Sequence, residues 1–435
     1  MAQISRCPCP EERVQMSQTA PYTTETPTEP TERVGMGFLI ILALAYMGIF
    51  LGLLTPVIVT MALKLTEFGK DSLSGNLSLV LGVGAVFALV GNPLFGKLSD
   101  RTTSRFGRRR PWLIGGVIGA LIGLAVVATA SSVGLLLVGW SITQVSFNAA
   151  LAALVAVLPD QVPVSQRGLA SAYLGVGIPV AAIVGTYIVA GVEGAFLKFL
   201  VPGLIATVLM ILLVAVLPDK RIAKGSVARY TFGEFARSFY VSPRKAPDFS
   251  WAWLSRFLLF MGLSFLLTYQ VPYLLEHLDV AESQIGDLVF RATLVQSAVL
   301  IVVSFIAGPV SDRMRRRKAF VFVAAVIYAV ALAVIAFSPD YDTFLIGMAI
   351  SGVGQGIYIA VDLALVTDVL PSQETAARDL GVFNIASAGP QSLAPSVAPL
   401  FLAIGGPANF VSLFSAAGIF AAIGALAIIP IRKVR

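Results

Sequence analysis

The sequence predicts an all-α membrane protein, with twelve transmembrane helices in two six-helix pseudo-symmetric halves. Three observations carry that reading. The 435-residue chain is 57% hydrophobic and 13% charged, with a mean hydropathy of +0.85, whereas soluble domains are about half apolar and a quarter charged. Its apolar runs approach or exceed the roughly 20 residues that a bilayer crossing needs. One loop pattern also occurs twice, as Gly96-x-x-Ser99-Asp100-Arg101 and Gly308-x-x-Ser311-Asp312-Arg313, with 212 positions between Asp100 and Asp312.

Residues 1–35 are rich in Thr, Pro and Glu, cannot bury a core, and read as a disordered cytoplasmic tail. Cys7 and Cys9 within it read as free thiols, because a metal site needs more ligands than the distant His277 supplies. No apolar run precedes about Met36, so no cleavable signal peptide is expected. Spans are expected near 36–63, 76–96, 112–131, 133–158, 168–191 and 199–217, which make the first half, 36–217. A basic cytoplasmic linker, 218–250, follows. The second half, 251–435, holds spans near 251–275, 287–310, 319–337, 343–369, 380–403 and 409–431, then a short basic tail. Runs this long without strict alternation exclude β-barrel strands. Gly115, Gly119 and Gly123 line one face of the third span and favour close packing. Gly91 to Lys97 matches most of a phosphate-loop pattern, but Leu98 follows and no strand precedes it, so a nucleotide site is not expected.

Placing the N-terminus inside puts 26 of the 31 Lys and Arg residues in inner segments, against Lys64, Lys70 and Lys198 in outer loops. That bias sets both termini in the cytoplasm of a multi-pass protein of a cell (inner or plasma) membrane. Because the basic residues lie in short loops, the net charge of +7 does not indicate nucleic acid. The repeat extends past the hinge loops, since Leu158-Pro159 and Leu370-Pro371 are again 212 positions apart. Two six-span halves with matching hinges describe a transporter built from parallel repeats, with a small-molecule substrate held between them. No nucleophile–base pair or metal-ligand cluster falls in a span, so no enzyme activity, cofactor or metal is expected. The chain is expected to act as a monomer in the lipid bilayer.

The Gly-x-x-x-Asp-Arg loop after the second span keeps Gly96, Asp100, Arg101, Gly107 and Arg108 and resembles the signature of the major facilitator superfamily. The resemblance covers essentially all of 36–432. The extension Arg105-Phe106-Gly107-Arg108-Arg109-Arg110-Pro111 is similar to the sucrose-carrier branch and the related glycoside–pentoside–hexuronide cation symporters. This resemblance implies the major facilitator fold, with the first, fourth, seventh and tenth spans lining a central cavity. It also implies proton-coupled uptake of a sugar or glycoside by alternating access. Gating roles follow for Asp100, Arg101, Arg108, Asp312 and Arg313, against the alternative that Arg101, Arg105, Arg108, Arg109 and Arg110 are topology signals only. Asp100 is expected to lock the inner side against the span beginning near Leu380, and Asp312 against the one beginning near Leu169. A proton-coupled multidrug or metabolite exporter and a non-transporting receptor or scaffold remain as alternatives. In one respect the sequence departs from the plant sucrose carriers. Their fourth span has a proton-carrying aspartate, and the alignment puts Gln144 there, which does not titrate. Proton coupling is then moved, foremost to Asp362, or lost.

Polar groups inside spans are the site candidates, because a charge at mid-helix costs roughly 2.5–3.5 kcal/mol and is usually turned to a cavity or a partner. Gln144 and Asn148 lie one turn apart on the fourth span, and Gln355, Tyr358 and Asp362 form an i, i+3, i+7 stripe on the tenth. The seventh carries Arg256, Tyr269, Gln270 and Tyr273. The eleventh carries Asn384 with Pro390, Pro395 and Pro399, which free backbone carbonyls. Gln144, Asn148, Gln355, Tyr358, Asn384 and Tyr269 are expected to bind the substrate. Interhelical hydrogen bonding competes as a reading of Gln144 and Asn148, and an interfacial aromatic belt as a reading of Tyr269 and Tyr273. Arg256 lies about five residues, roughly 8 Å, inside Trp251, and Asp362 about eight residues, roughly 12 Å, inside Leu370. Opposite charges at similar depth are cheaper to hold if they face one another. The pair is expected to break when Asp362 takes a proton, against the alternatives of a permanent structural pair or of Arg256 snorkelling to headgroups. Asp287 and Arg291 are spaced for a structural i to i+4 pair.

Overall fold

A long apolar run in a bilayer folds as a helix because a helix satisfies its backbone polar groups within its own segment. The computed structural model describes residues 32–69, 72–219, 244, 246–314, 316–370, 376–406 and 408–432. Nearly all of the expected tail and most of the linker, including Cys7 and Cys9, lie outside these. Among the described residues there are twelve long helices and no strand. They are α1 (Met36–Thr66), α2 (Leu73–Asp100), α3 (Arg110–Thr129), α4 (Val133–Gln161), α5 (Val164–Gly191) and α6 (Ala195–Val216). The second set is α7 (Pro247–His277), α8 (Glu282–Met314), α9 (Arg317–Ala336), α10 (Tyr341–Val369), α11 (Ala376–Leu402) and α12 (Phe410–Ala427). Eleven are long and apolar enough to cross a membrane. The twelfth, α11, has 27 residues but carries three internal prolines.

Most helices overrun the expected spans: α2 runs 73–100 against 76–96, and α8 runs 282–314 against 287–310. Hydropathy detects only the part in the hydrocarbon, whereas the helix continues into the polar margin until a cap or a turn ends it. Such caps are visible at the starts of α4, α10 and α12. Ser132 accepts from the Leu135 N–H, Asp340 from that of Thr343 and Asn409 from that of Ser412. The bond from the Thr343 backbone holds the Asp340 carboxyl below the usual carboxylate range. The segment from Gly91 to Lys97 is continuous helix within α2, which removes any phosphate loop. The glycine face of α3 is Gly116, Gly119 and Gly123, where a Cβ would collide with α4, while Gly115 faces open space. Asp287 and Arg291 do pair, at 2.8 Å and largely exposed.

Packing obeys a twofold pattern. In the first half α3 packs on α4, α2 on α4, α3 on α6, α1 on α6 and α1 on α5. Six helices on, each contact recurs: α9 on α10, α8 on α10, α9 on α12, α7 on α12 and α7 on α11. The halves meet through α2 with α11 and, equivalently, α8 with α5. The lead helices share a further feature. Each has a π-helical segment near its second end, Pro56–Thr60 in α1 and Tyr273–His277 in α7, beginning at or just after a proline.

The loops after α2 and α8 lie on one face with the start of α1 and the end of α12, which is called the basic face here. Toward the opposite face the halves touch. Ser78 of α2 bonds Tyr269 of α7 at 2.5 Å, Tyr187 of α5 sits edge-on to Phe290 of α8, and Gly286 of α8 abuts Ala190 of α5. Toward the basic face α5 leaves a wide arc uncovered. On α5, Gly168, Leu169, Ser171, Ala172, Tyr173 and Gly175 are all exposed. At about 100° per residue these positions occupy more than half of the helix circumference.

Candidate functional site

Arg256 and Asp362 meet as the depth argument expects. Arg256 Nη1 donates to Asp362 Oδ2 at 2.5 Å, and the side chains are 14% and 12% exposed. The carboxylate comes from α10 and the guanidinium from α7, while α11 adds Ser387, whose Oγ accepts from Arg256 Nη2 at 3.4 Å. Aromatic rings enclose the cation: its guanidinium carbon lies 5.3 Å from the Phe260 ring centre and 4.7 Å from that of Phe383. Trp253 and Phe257 stack nearby, and Tyr358 meets Phe260 edge-on. The pair is not fully satisfied. Asp362 Oδ1 and Arg256 Nε are both buried with no well-formed hydrogen bond among the described residues, although the Tyr358 hydroxyl lies near the Asp362 carboxylate. Buried polar atoms are paired in most proteins, so two orphans on one ion pair single it out as the candidate site.

The other expected substrate ligands fall into separate places. Gln144 and Asn148 are 8% and 6% exposed and bond to each other, with Asn148 Nδ2 donating to the Gln144 carbonyl at 2.8 Å and to Oε1 at 3.2 Å. That is a bond within α4, not the interhelical bond that competed as a reading. Their nearest glycines, Gly84 and Gly91, belong to α2. Asn384 is exposed on α11. The stripe on α10 divides: Tyr358 and Asp362 face α7, whereas Gln355 lies toward the buried Tyr328 of α9.

Tyr269 lies on α7 about 20 Å along the helix from Arg256. It is fully buried in the seam between the halves, which also rules out an interfacial belt. Its hydroxyl meets Ser78 and, at 3.4 Å, the carbonyl of Pro395. Pro399, one turn further along α11, has no N–H to offer that carbonyl, so Tyr269 covers an acceptor that proline leaves free. Tyr273 is buried too, donating to the Ile335 carbonyl at 2.8 Å. Tyr269→Phe is expected to loosen the seam, because Ser78 and the Pro395 carbonyl each lose a buried partner. Cysteine labelling of Ser392→Cys, buried one turn away on α11, from the face opposite the basic loops should rise in the variant, and unchanged labelling would remove Tyr269 from the closure.

The hinge loops build something the sequence reading missed. Arg109, 4% exposed, bonds Ser99 at 2.6 Å, Asp160 at 2.9 Å and Asp100 at 2.6 Å. Arg108 Nη2 adds two bonds of 2.6 Å to the Asp160 carboxylate. In the second half Arg317 reaches Asp368 at 2.6 Å and Asp312 at 3.6 Å. Each half therefore clamps the end of its second helix to the end of its fourth through one arginine. Gly107, with φ of +105°, lets the chain turn beside Asp219, which accepts from the backbone N–H groups of Arg109 and Arg110. Among the described residues the hinge aspartates pair within their own halves; residues 371–375 and the side chain of Leu380, toward which the lock of Asp100 is expected, lie outside these. Arg101 and Arg313 are exposed on the basic face.

The Major Facilitator Superfamily family model matches residues 36–270 and 252–435. The chain is 40% identical over 83 residues to the Proton-associated sugar transporter A of Homo sapiens, a stretch that is 19% of this chain and 10% of that protein. It thus spans about a tenth of the length of that relative. It is 31% identical over 159 residues to the class E tetracycline resistance protein of Escherichia coli, covering 36% of this chain and 37% of that one. In fold it resembles a bacterial homologue of the human lysosomal transporter Spinster in an inward-facing, unoccupied conformation. That match has a TM-score of 0.66 and 15% identity, over 90% of this chain and 94% of the other.

Proposed function

We propose that this chain, which belongs to the Major Facilitator Superfamily, takes up a sugar or glycoside in symport with a proton. It is a multi-pass membrane transporter and not an enzyme. The observation that carries the coupling is the orphaned Asp362 Oδ1 beside the Arg256 pair. A proton can add there without displacing the Arg256 bond to Oδ2, and it removes the charge that holds Arg256. α7 carries both Arg256 and Tyr269, 13 residues or about 20 Å apart. Release of Arg256 therefore acts on the helix that also closes the seam, which links protonation to access. With the basic face in the cytoplasm, as the charge bias directs, the uncovered arc of α5 supports an inward-open form.

Sugar as the substrate class is supported by the neutral hydrogen-bonding groups Gln144, Asn148 and Asn384 and by the name of the human relative. Gln144→Ala is expected to weaken sugar binding by about 1–3 kcal/mol, since a partner is left unpaired. Calorimetric titration checks this, after a thermal-shift screen of sugars has found a ligand that raises the melting temperature. The aromatic shell of Phe260, Phe383, Trp253 and Phe257, with the tetracycline resistance relative, favours a second reading as an exporter. Stabilisation by cationic amphiphiles and by no sugar would select it.

A further inference from the structure

The outer surface of the second half has an apolar groove of about 380 Å³ at the basic face, between the start of α9 and the end of α12. Phe322, Val323, Ile428 and Ile429 form its walls, and Arg316 and Lys318 stand at its mouth. Val323 and Ile429 are 47% and 54% exposed. Lys318 is fixed at the rim, because its Nζ donates to the carbonyls of Ile429 at 2.5 Å and Ile431 at 2.9 Å.

The first half shows what the equivalent rim carries. There Arg110 donates to the Leu217 carbonyl at 2.6 Å, as Lys318 does to Ile429. Asp219 then supplies a carboxylate, at 2.7 and 2.9 Å from the backbone nitrogens of Arg109 and Arg110. Leu217-Pro218-Asp219 and Ile429-Pro430-Ile431 lie 212 positions apart, the spacing of the hinge aspartates. The acid of the first half is thus an isoleucine in the second, while the cations are kept. The nearby Asp248 is turned to the backbone N–H of Arg432.

We propose that this groove binds an anionic phospholipid of the adjoining leaflet. Its phosphate sits between Arg316 and Lys318, where the first half places Asp219, and an acyl chain lies along Phe322, Val323 and Ile429. A cationic rim over an apolar trough matches a ligand with a charged head and a hydrocarbon tail, and basic pockets between spans hold such headgroups. A free anion would fill the rim and leave the trough unused.

The test uses the full chain in detergent, titrated by native mass spectrometry with phosphatidylglycerol or phosphatidylcholine of the same chain length. Phosphatidylglycerol should be retained preferentially. Arg316→Gln should weaken its binding about fivefold, the value of one basic group at a membrane surface. Ile431→Asp, which restores the acid of the first half, should weaken it at least as much without changing phosphatidylcholine retention. A phosphatidylglycerol with a diazirine in its tail should label the stretch 319–323 and residues 428–429, and not the equivalent surface of α3 and α6. Should Ile431→Asp fail to fold, Arg316→Gln and the labelling map decide. Equal retention of the two lipids, wild-type binding by Arg316→Gln, or labelling spread over both halves would overturn the site. Displacement by inorganic phosphate with no dependence on the acyl chain would overturn the lipid assignment.

Discussion

Asp362→Asn is expected to abolish accumulation of substrate driven by a pH gradient while leaving substrate counterflow intact. Asparagine keeps the size and one acceptor of the carboxylate but cannot take up a proton. Counterflow needs only that the loaded carrier reorient, whereas accumulation needs each cycle to carry a proton. Uptake and counterflow in the same proteoliposomes measure the two separately. A variant that still concentrates substrate as the native protein does would place coupling elsewhere. One that loses counterflow as well would make Asp362 a ligand or a structural group.

Arg256→Gln has the second large effect, and it falls on stability. Removing one partner of a buried pair leaves the other charge uncompensated, which typically costs about 3–5 kcal/mol. Asp362, buried with Oδ1 already orphaned, has no other described cation at its oxygens. Arg256→Gln combined with Asp362→Asn should recover most of the loss, because neither charge then remains. Chemical unfolding of the three variants in one detergent gives this cycle. A double variant no more stable than Arg256→Gln alone would mean that Arg256 stabilises chiefly through Phe260 and Phe383, and that its pairing with Asp362 is incidental.

How much of this was legible in the sequence varies with the length scale of the interaction. The helices and their two halves were legible because a bilayer leaves few spanning structures and because the hinge loop repeats. The Arg256–Asp362 contact followed from depth alone, since charges that cannot reach water must find one another. The arginine clamps were hidden. Arg109 and Arg317 are 208 positions apart, as are Asp160 and Asp368, while the hinge aspartates are 212 apart. The shorter loop of the second half slips the register, and no single spacing aligns all three members. The seam position of Tyr269 was hidden for a different reason. A tyrosine toward the end of a span has the pattern of an interfacial anchor, and only its contact with Ser78, 191 positions away, puts it in the seam. Gln355 shares its stripe with Asp362 in sequence, yet helices on two sides of α10 divide that stripe between them. The aromatic shell had a readable signal, because Trp253, Phe257 and Phe260 recur at i, i+4 and i+7 on α7.

The coupling itself is tested most directly by proton movement. Proteoliposomes holding a pH-sensitive dye are given a sugar that raised the melting temperature, with no imposed gradient of either species. The account predicts that sugar entry acidifies the lumen in the native protein and that Asp362→Asn admits the sugar by exchange with no acidification. Sugar entry without proton entry in the native protein, or acidification that persists in Asp362→Asn, would contradict it.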